Sequence, residues 1–137
     1  MTNKRRVVVT GMGTVNPVGK DVASTWEALI NGRSGISLIE HFDASEYATK
    51  IAGTIKDLDI SALISTKEAR KLDTFLQYAI YAAEEALLSA NLPESLDKSR
   101  MGVAVGSGIG GLDTIEKNHS ILQKSGPRRV SPFLVPA

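Results

Sequence analysis

Apolar residues recur along this chain in two alternating rhythms. Val7–Thr10 is a β-branched run that empties into Gly11-Met12-Gly13, the pattern of a short buried strand with a tight exit. Asp21–Asn31 then places Val22, Trp26, Leu29 and Ile30 on one helical face, with Gly32 where a C-terminal cap belongs. Arg33–Tyr47 has no period and is expected to be irregular, with Phe42 and Tyr47 as its anchors. Ala48–Ile55 reads as a weaker strand, interrupted by Gly53. The strongest periodic segment opens at Ser65, which stands three residues before Glu68 in the spacing of a capping box. From Leu72 through Phe75, Leu76, Ala79, Ile80, Ala83, Ala86 and Leu87 to Ala90 the i, i+3, i+4 spacing persists, predicting one helix of about five turns. Asn91 and Pro93 end it. Met101–Val105 is a second buried-strand pattern, and it runs into a stretch from Gly106 to Gly111 that holds four glycines. A last helix is predicted over Leu112–Gln123, with Leu112, Ile115, His119 and Leu122 on one side. Strands alternating with helices predict an α/β layered fold with mostly parallel strands.

Composition narrows the picture. A chain of 137 residues with 42% apolar and 23% charged residues is expected to be a soluble globular protein. A net charge of +1 gives no global reason to expect nucleic acid or a membrane as partner. There is no cysteine, so these residues hold no disulfide, thiolate metal site or cysteine nucleophile. No apolar run approaches the roughly 18 residues that span a bilayer, and Val7–Val9 is too short for a signal peptide. A cytoplasmic location is the expectation. The last dozen residues are apolar and proline-punctuated, without a terminating charge. The chain is therefore expected to be an incomplete segment, cut at its C-terminal side.

Candidate chemistry is sparse. Gly106, Gly108 and Gly111 fit a G-x-G-x-x-G pattern between strand and helix, but no Asp or Glu occurs from Lys117 to Ala137, where a dinucleotide fingerprint wants its acid. The N-terminal alternative has Asn16 at its third glycine position. Glycines that let a turn pack tightly, and glycines that line an acyl or peptide tunnel, both remain open readings here. Lys67, Arg70 and Lys71 cluster in the first two turns of the strongest predicted helix. Cations there oppose the positive end of the helix dipole, and a local rule broken without a packing gain points to an anion-attracting patch. Arg128 and Arg129 add a second basic pair. His41 and His119 have no partner at metal or triad spacing, Ser107 lacks the flanking glycines of a nucleophile elbow, and no carboxylate pair is placed for acid–base work. No metal, cofactor or catalytic residue is expected within the chain.

Five segments in order resemble one family: RRVVVTGMGTVNPVG, GRSGISLIEHFDASEYATKIAG, KEARKLDTFLQYA, GVAVGSGIGGLDTIEKNH and GPRRVSPFLVP. Together they look like the N-terminal third of a bacterial β-ketoacyl-[acyl carrier protein] synthase of the elongating type. The resemblance implies a thiolase-like α-β-α layered sandwich, of which only the N-terminal part is present. It implies a homodimeric condensing enzyme of fatty acid synthesis. An acyl group would pass to a cysteine, and malonyl carrier protein would lose CO₂ and attack the thioester. The family's cysteine, histidines and lysine all lie beyond these residues, so the resemblance assigns no catalytic residue here. It implies carrier-protein binding at Lys67, Arg70, Lys71, Arg128 and Arg129, and acyl-pocket positions at Ile109 and Leu134, the latter often aromatic in relatives. The expected partners are an acidic acyl carrier protein and a second subunit. The rival readings are a stand-alone carrier-protein binding module and a nucleotide-binding α/β domain.

Overall fold

The computed structural model describes residues 4–136. The chain forms two compact units, one of Met1–Leu58 with Ala82–Leu96 and the other of Asp59–Tyr81 with Asp97–Ala137.

In the first unit, helix α1 spans Val22–Ile30. Asp21 caps it, its carboxylate accepting from the Ser24 amide at 2.6 Å, while the Ser24 hydroxyl accepts from the Asp21 amide. Gly32 closes the far end with φ +62°, as expected for a residue that leaves a helix through the left-handed region. Two short strands follow, β1 over Ile36–Leu38 and β2 over Ile51–Gly53, paired antiparallel with Ser37 opposite Ala52. β2 lies inside the predicted Ala48–Ile55, whereas β1 falls in the stretch expected to be irregular. Gly11-Met12-Gly13 packs against the C-terminal half of helix α3, which spans Thr74–Ala90. A Cβ on Gly13 would stand 1.9 Å from the Ala82 carbonyl oxygen, and one on Gly11 would stand 2.2 Å from that of Ala86. The alanine face of α3 and the two glycines are one device: both surfaces are stripped of side chain so that backbone meets backbone. Asn16, at the third position of the failed fingerprint, closes its own turn. Its side-chain oxygen accepts from the amides of Val18 and Gly19 at 3.0 and 3.1 Å.

The second unit holds helix α2 over Thr66–Ala69, the start of α3, and helix α4 over Leu112–Ser125, followed by a 3₁₀ turn at Pro127–Arg129. The Ser65–Glu68 capping box forms: each side chain takes up the other residue's backbone amide at 3.3 Å. The predicted continuous helix does not. It breaks over Arg70–Asp73, because Asp73 restarts it: its carbonyl accepts from the Leu76 and Gln77 amides. Gln77 then bridges the break, its side-chain amide donating to the Ala69 and Leu72 carbonyls at 3.2 and 3.1 Å.

Two further expectations are corrected. Among the described residues the hydrogen-bonded strands form an antiparallel pair, and the predicted strands Val7–Thr10 and Met101–Val105 have no ladder partner. A strand is a paired object, and these runs stay open, with Val7 at 92% and Val103 at 93% exposure. The face of α4 that packs is also a different one. Leu112, Ile115 and Leu122 are exposed, while Thr114 is half-buried and Asn118 is buried. The described residues offer that apolar stripe no apolar cover, and offer the polar one hydrogen-bond partners. Among the described residues the buried apolar ones are few and mostly small: Ala28, Ala44 and Ile60.

Candidate functional site

An open cleft of about 320 Å³ lies in the second unit. Arg70, Lys71, Asp73, Thr114, Asn118 and Phe133 are among its lining residues. The break between α2 and α3 supplies one wall and the segment after the 3₁₀ turn supplies the other. The Lys71 ammonium sits 5.2 Å from the centroid of the Phe133 ring, within cation–π range. Of the positions predicted from sequence, Arg70 and Lys71 line this cleft; Lys67, Arg128, Arg129, Ile109 and Leu134 do not. Lys67, Arg128 and Arg129 are exposed, Leu134 is half-buried, and Ile109 is 74% exposed. A second cleft of about 330 Å³, in the first unit between the Asn16–Lys20 turn and the β1–β2 pair, contains none of the predicted site residues.

The break alters the electrostatic argument for the basic cluster. Lys67 lies in the single turn of α2, and Arg70 and Lys71 follow the C-terminal end of that helix, the end that attracts cations. Toward α2 the expected conflict with the helix dipole is therefore absent at Arg70 and Lys71, while both still precede the positive end of α3. Their availability supports the patch instead. Among the described residues the ion pairs are Arg33–Glu27, Lys56–Glu40 and Lys117–Asp113, so Lys67, Arg70 and Lys71 have no carboxylate within ion-pair distance. Glu68, between Lys67 and Arg70 in the chain, is close enough to feel the Lys71 charge. It is occupied by Ser65, whose hydroxyl and amide hold its carboxyl below the usual range, with a smaller contribution from the Lys71 charge.

Sequence reasoning missed the polar residues that build the floor. Burial is the largest single influence on the Asp73 carboxyl and disfavours its charged form; the Thr114 hydroxyl opposes it. With the Thr74 and Thr114 amides, that hydroxyl leaves the Asp73 carboxyl below its ordinary value. The Thr114 hydroxyl donates to Asp73 Oδ2 at 2.6 Å and its amide donates to the same oxygen at 3.3 Å. This carboxylate sits on the first turn of α4. It occupies the place where a dinucleotide reading would put a phosphate, and that reading loses its anion site. The signal available in the sequence was Asp73-Thr74, a helix-starting pair inside an otherwise helical pattern. Glu85, on α3, ties down the first unit. Its two carboxylate oxygens accept from the Thr14 and Val22 amides at 2.8 and 2.7 Å. Among the described residues no group of His, Asp or Glu is arranged to hold a metal ion, and no helix is long and apolar enough to cross a membrane.

Residues 4–137 match the family model for the N-terminal domain of β-ketoacyl synthases. The chain belongs to the β-ketoacyl synthase family. It is 54% identical over 136 residues to a 3-oxoacyl-[acyl-carrier-protein] synthase 2 of Vibrio harveyi, covering 98% of this chain and 33% of that protein. It is 47% identical over 137 residues to the synthase of the same name from Staphylococcus aureus strain COL, covering 99% of this chain and 33% of that protein. The β-ketoacyl synthase segment thus spans about a third of the length of these relatives. Among solved structures, it resembles a type II PKS acyl-carrier protein in complex with its ketosynthase bound to the hexaketide. The TM-score is 0.77 at 31% identity, over 98% of this chain and 35% of that one. It also resembles the ishigamide ketosynthase/chain length factor, with a TM-score of 0.75 at 27% identity over 96% of this chain and 33% of that one. These neighbours give the β-ketoacyl synthase segment a thiolase-like fold.

Proposed function

We propose that this chain is the N-terminal part of a 3-oxoacyl-[acyl carrier protein] synthase acting in type II fatty acid synthesis as a cytoplasmic homodimer. In this reading the acyl group passes from a carrier-protein thiol to an enzyme cysteine. Malonyl carrier protein releases CO₂, and the resulting carbanion attacks the acyl thioester to form the new carbon–carbon bond and expel the cysteine thiolate. The chain has no cysteine, so the nucleophile must come from outside these residues and the 137-residue chain by itself is catalytically inactive. The strands Val7–Thr10 and Met101–Val105 would acquire their ladder partners within the layered sandwich of the longer protein.

The role left to these residues is to bind and to orient. Arg70 and Lys71 face an open cleft without a carboxylate partner, and this observation carries the docking role. An acidic carrier protein would meet fixed positive charge there, with Lys67, Arg128 and Arg129 extending the surface. Ile109 and Leu134 would contribute to the acyl pocket. The test is to replace Lys67, Arg70 and Lys71 together by Glu in the complete protein. The KM for acyl carrier protein is expected to rise several-fold, and more steeply at low salt, where exposed charges are less screened. A loss of the same size with an acyl-pantetheine substrate, which has no carrier protein, would show a damaged fold and overturn the docking role.

A further inference from the structure

Asn118 is the buried polar side chain among the described residues, at 7% exposure. Both ends of its amide are in use. Nδ2 donates to the Thr114 carbonyl oxygen at 2.8 Å, one turn back along α4, and Oδ1 accepts from the Ser131 backbone amide at 2.8 Å. The first bond locks the amide against its own helix, and this lock aims the acceptor out of the helix at Ser131. Thr114 is in turn held by Asp73. On the other side, the Ser131 hydroxyl accepts from the Phe133 amide at 3.1 Å. Phe133 returns to the start of the circuit, since its ring lies beneath Lys71. A closed path therefore joins Lys71 and Asp73, through Thr114, Asn118 and Ser131, to Phe133.

Burying an amide costs free energy unless every polar atom is paired. An apolar residue of similar size at position 118 would fill the same space but leave the Ser131 amide without its acceptor. What the amide adds is direction. It fixes the backbone of the segment that carries Arg128 and Arg129 at a set distance from the break that carries Arg70 and Lys71. We propose that Asn118 is a positioning residue, holding the two basic segments of the docking surface in register so that they meet one acidic partner together. This rests on the docking role proposed above and assigns it an internal part.

The experiment uses the complete protein with two Asn118 variants and the charge-reversed triple variant, each assayed with acyl carrier protein substrate and with an acyl-pantetheine lacking it. Asn118→Leu removes both hydrogen bonds at similar volume, and is expected to raise KM for the carrier protein by roughly fivefold, the equivalent of one net hydrogen bond. The loss is expected to be confined to that substrate. Asn118→Asp keeps the acceptor for Ser131 but, when ionised, sets a negative oxygen against the Thr114 carbonyl. Its KM for the carrier protein, taken relative to wild type at each pH, is expected to fall as the pH is lowered and the buried carboxyl regains a donor proton. If the triple variant raises KM and Asn118→Leu does not, the positioning role is overturned while docking stands. If the triple variant leaves KM unchanged, docking itself fails and the positioning role falls with it. Where Asn118→Leu does not fold, a relative KM for Asn118→Asp that does not change with pH overturns the proposal on its own.

Discussion

Glu85 holds Thr14 by its backbone amide, Oε2 accepting at 2.8 Å, while Oε1 of the same carboxylate takes the Val22 amide at 2.7 Å. Val22 is the first residue of α1, so a negative charge on α3 caps the exposed amides and the positive end of another helix. Glu85→Ala leaves two backbone donors without their partner. It is expected to cost about 2 kcal/mol in urea unfolding, the range of hydrogen bonds to charged groups. Glu85→Gln keeps one acceptor and is expected to cost roughly half as much.

Gly13 and Gly102 predict opposite outcomes for the same substitution. A Cβ at Gly13 meets the Ala82 carbonyl at 1.9 Å and the Ala86 amide at 2.7 Å, both of them backbone, whereas a Cβ at Gly102 meets nothing within 4 Å. Gly13→Ala is expected to lower stability by about 3 kcal/mol, because the loop must lift off α3. Gly102→Ala is expected to fall within about 0.5 kcal/mol of wild type. Thermal unfolding of the two variants side by side checks the pair.

Asp73 makes a prediction in acid. Burial opposes its charge, yet its hydrogen bonds from Thr114 and Thr74 prevail and its carboxyl lies below the ordinary value of 3.8. Its stabilisation is therefore complete above that ordinary value and is lost as the pH falls through the lower, folded-state value. Unfolding free energy measured from pH 5 downward is expected to decline less steeply in Asp73→Asn than in wild type. Thr114→Val removes the hydroxyl donor and is expected to flatten the same curve in part.

Ile109 is the large apolar residue of the Gly106–Gly111 turn and stands 74% exposed. If it faces an acyl chain in the complete protein, each CH₂ displaced forfeits about 0.8 kcal/mol of burial. Ile109→Phe is then expected to shift the preferred acyl substrate to shorter chains, read as kcat/KM across a chain-length series. An unchanged profile removes Ile109 from the pocket.

What was legible in the sequence is what is local. Asp21, Asn31 and Gly32 bound α1 as their side chains and backbone preferences dictate, and the Ser65–Glu68 box forms where its spacing places it. The end of α3 at Ala90 was equally readable, with Asn91 at φ +44° just beyond it. The failures are non-local. Apolar periodicity carries through Leu72 and Phe75, but the helix stops and restarts because Asp73 finds Thr114, a residue 41 positions away. The outward stripe of α4 looked like its packing face because leucine and isoleucine normally seek a core. In this chain the inward positions are Thr114 and Asn118, whose partners, Asp73 and Ser131, come from other segments. The basic cluster was found by its residues, yet the dipole argument attached to it depended on a helix that is interrupted.

The open valine runs carry a consequence for handling the polypeptide. Val7–Val9 and Met101–Val105 present β-branched side chains and unladdered amides to solvent, and these are the ingredients from which cross-β stacks are assembled between molecules. Concentration, more than temperature, is the variable that will govern how long solutions of this polypeptide stay clear. A charge or a proline placed within either run is the remedy to try first.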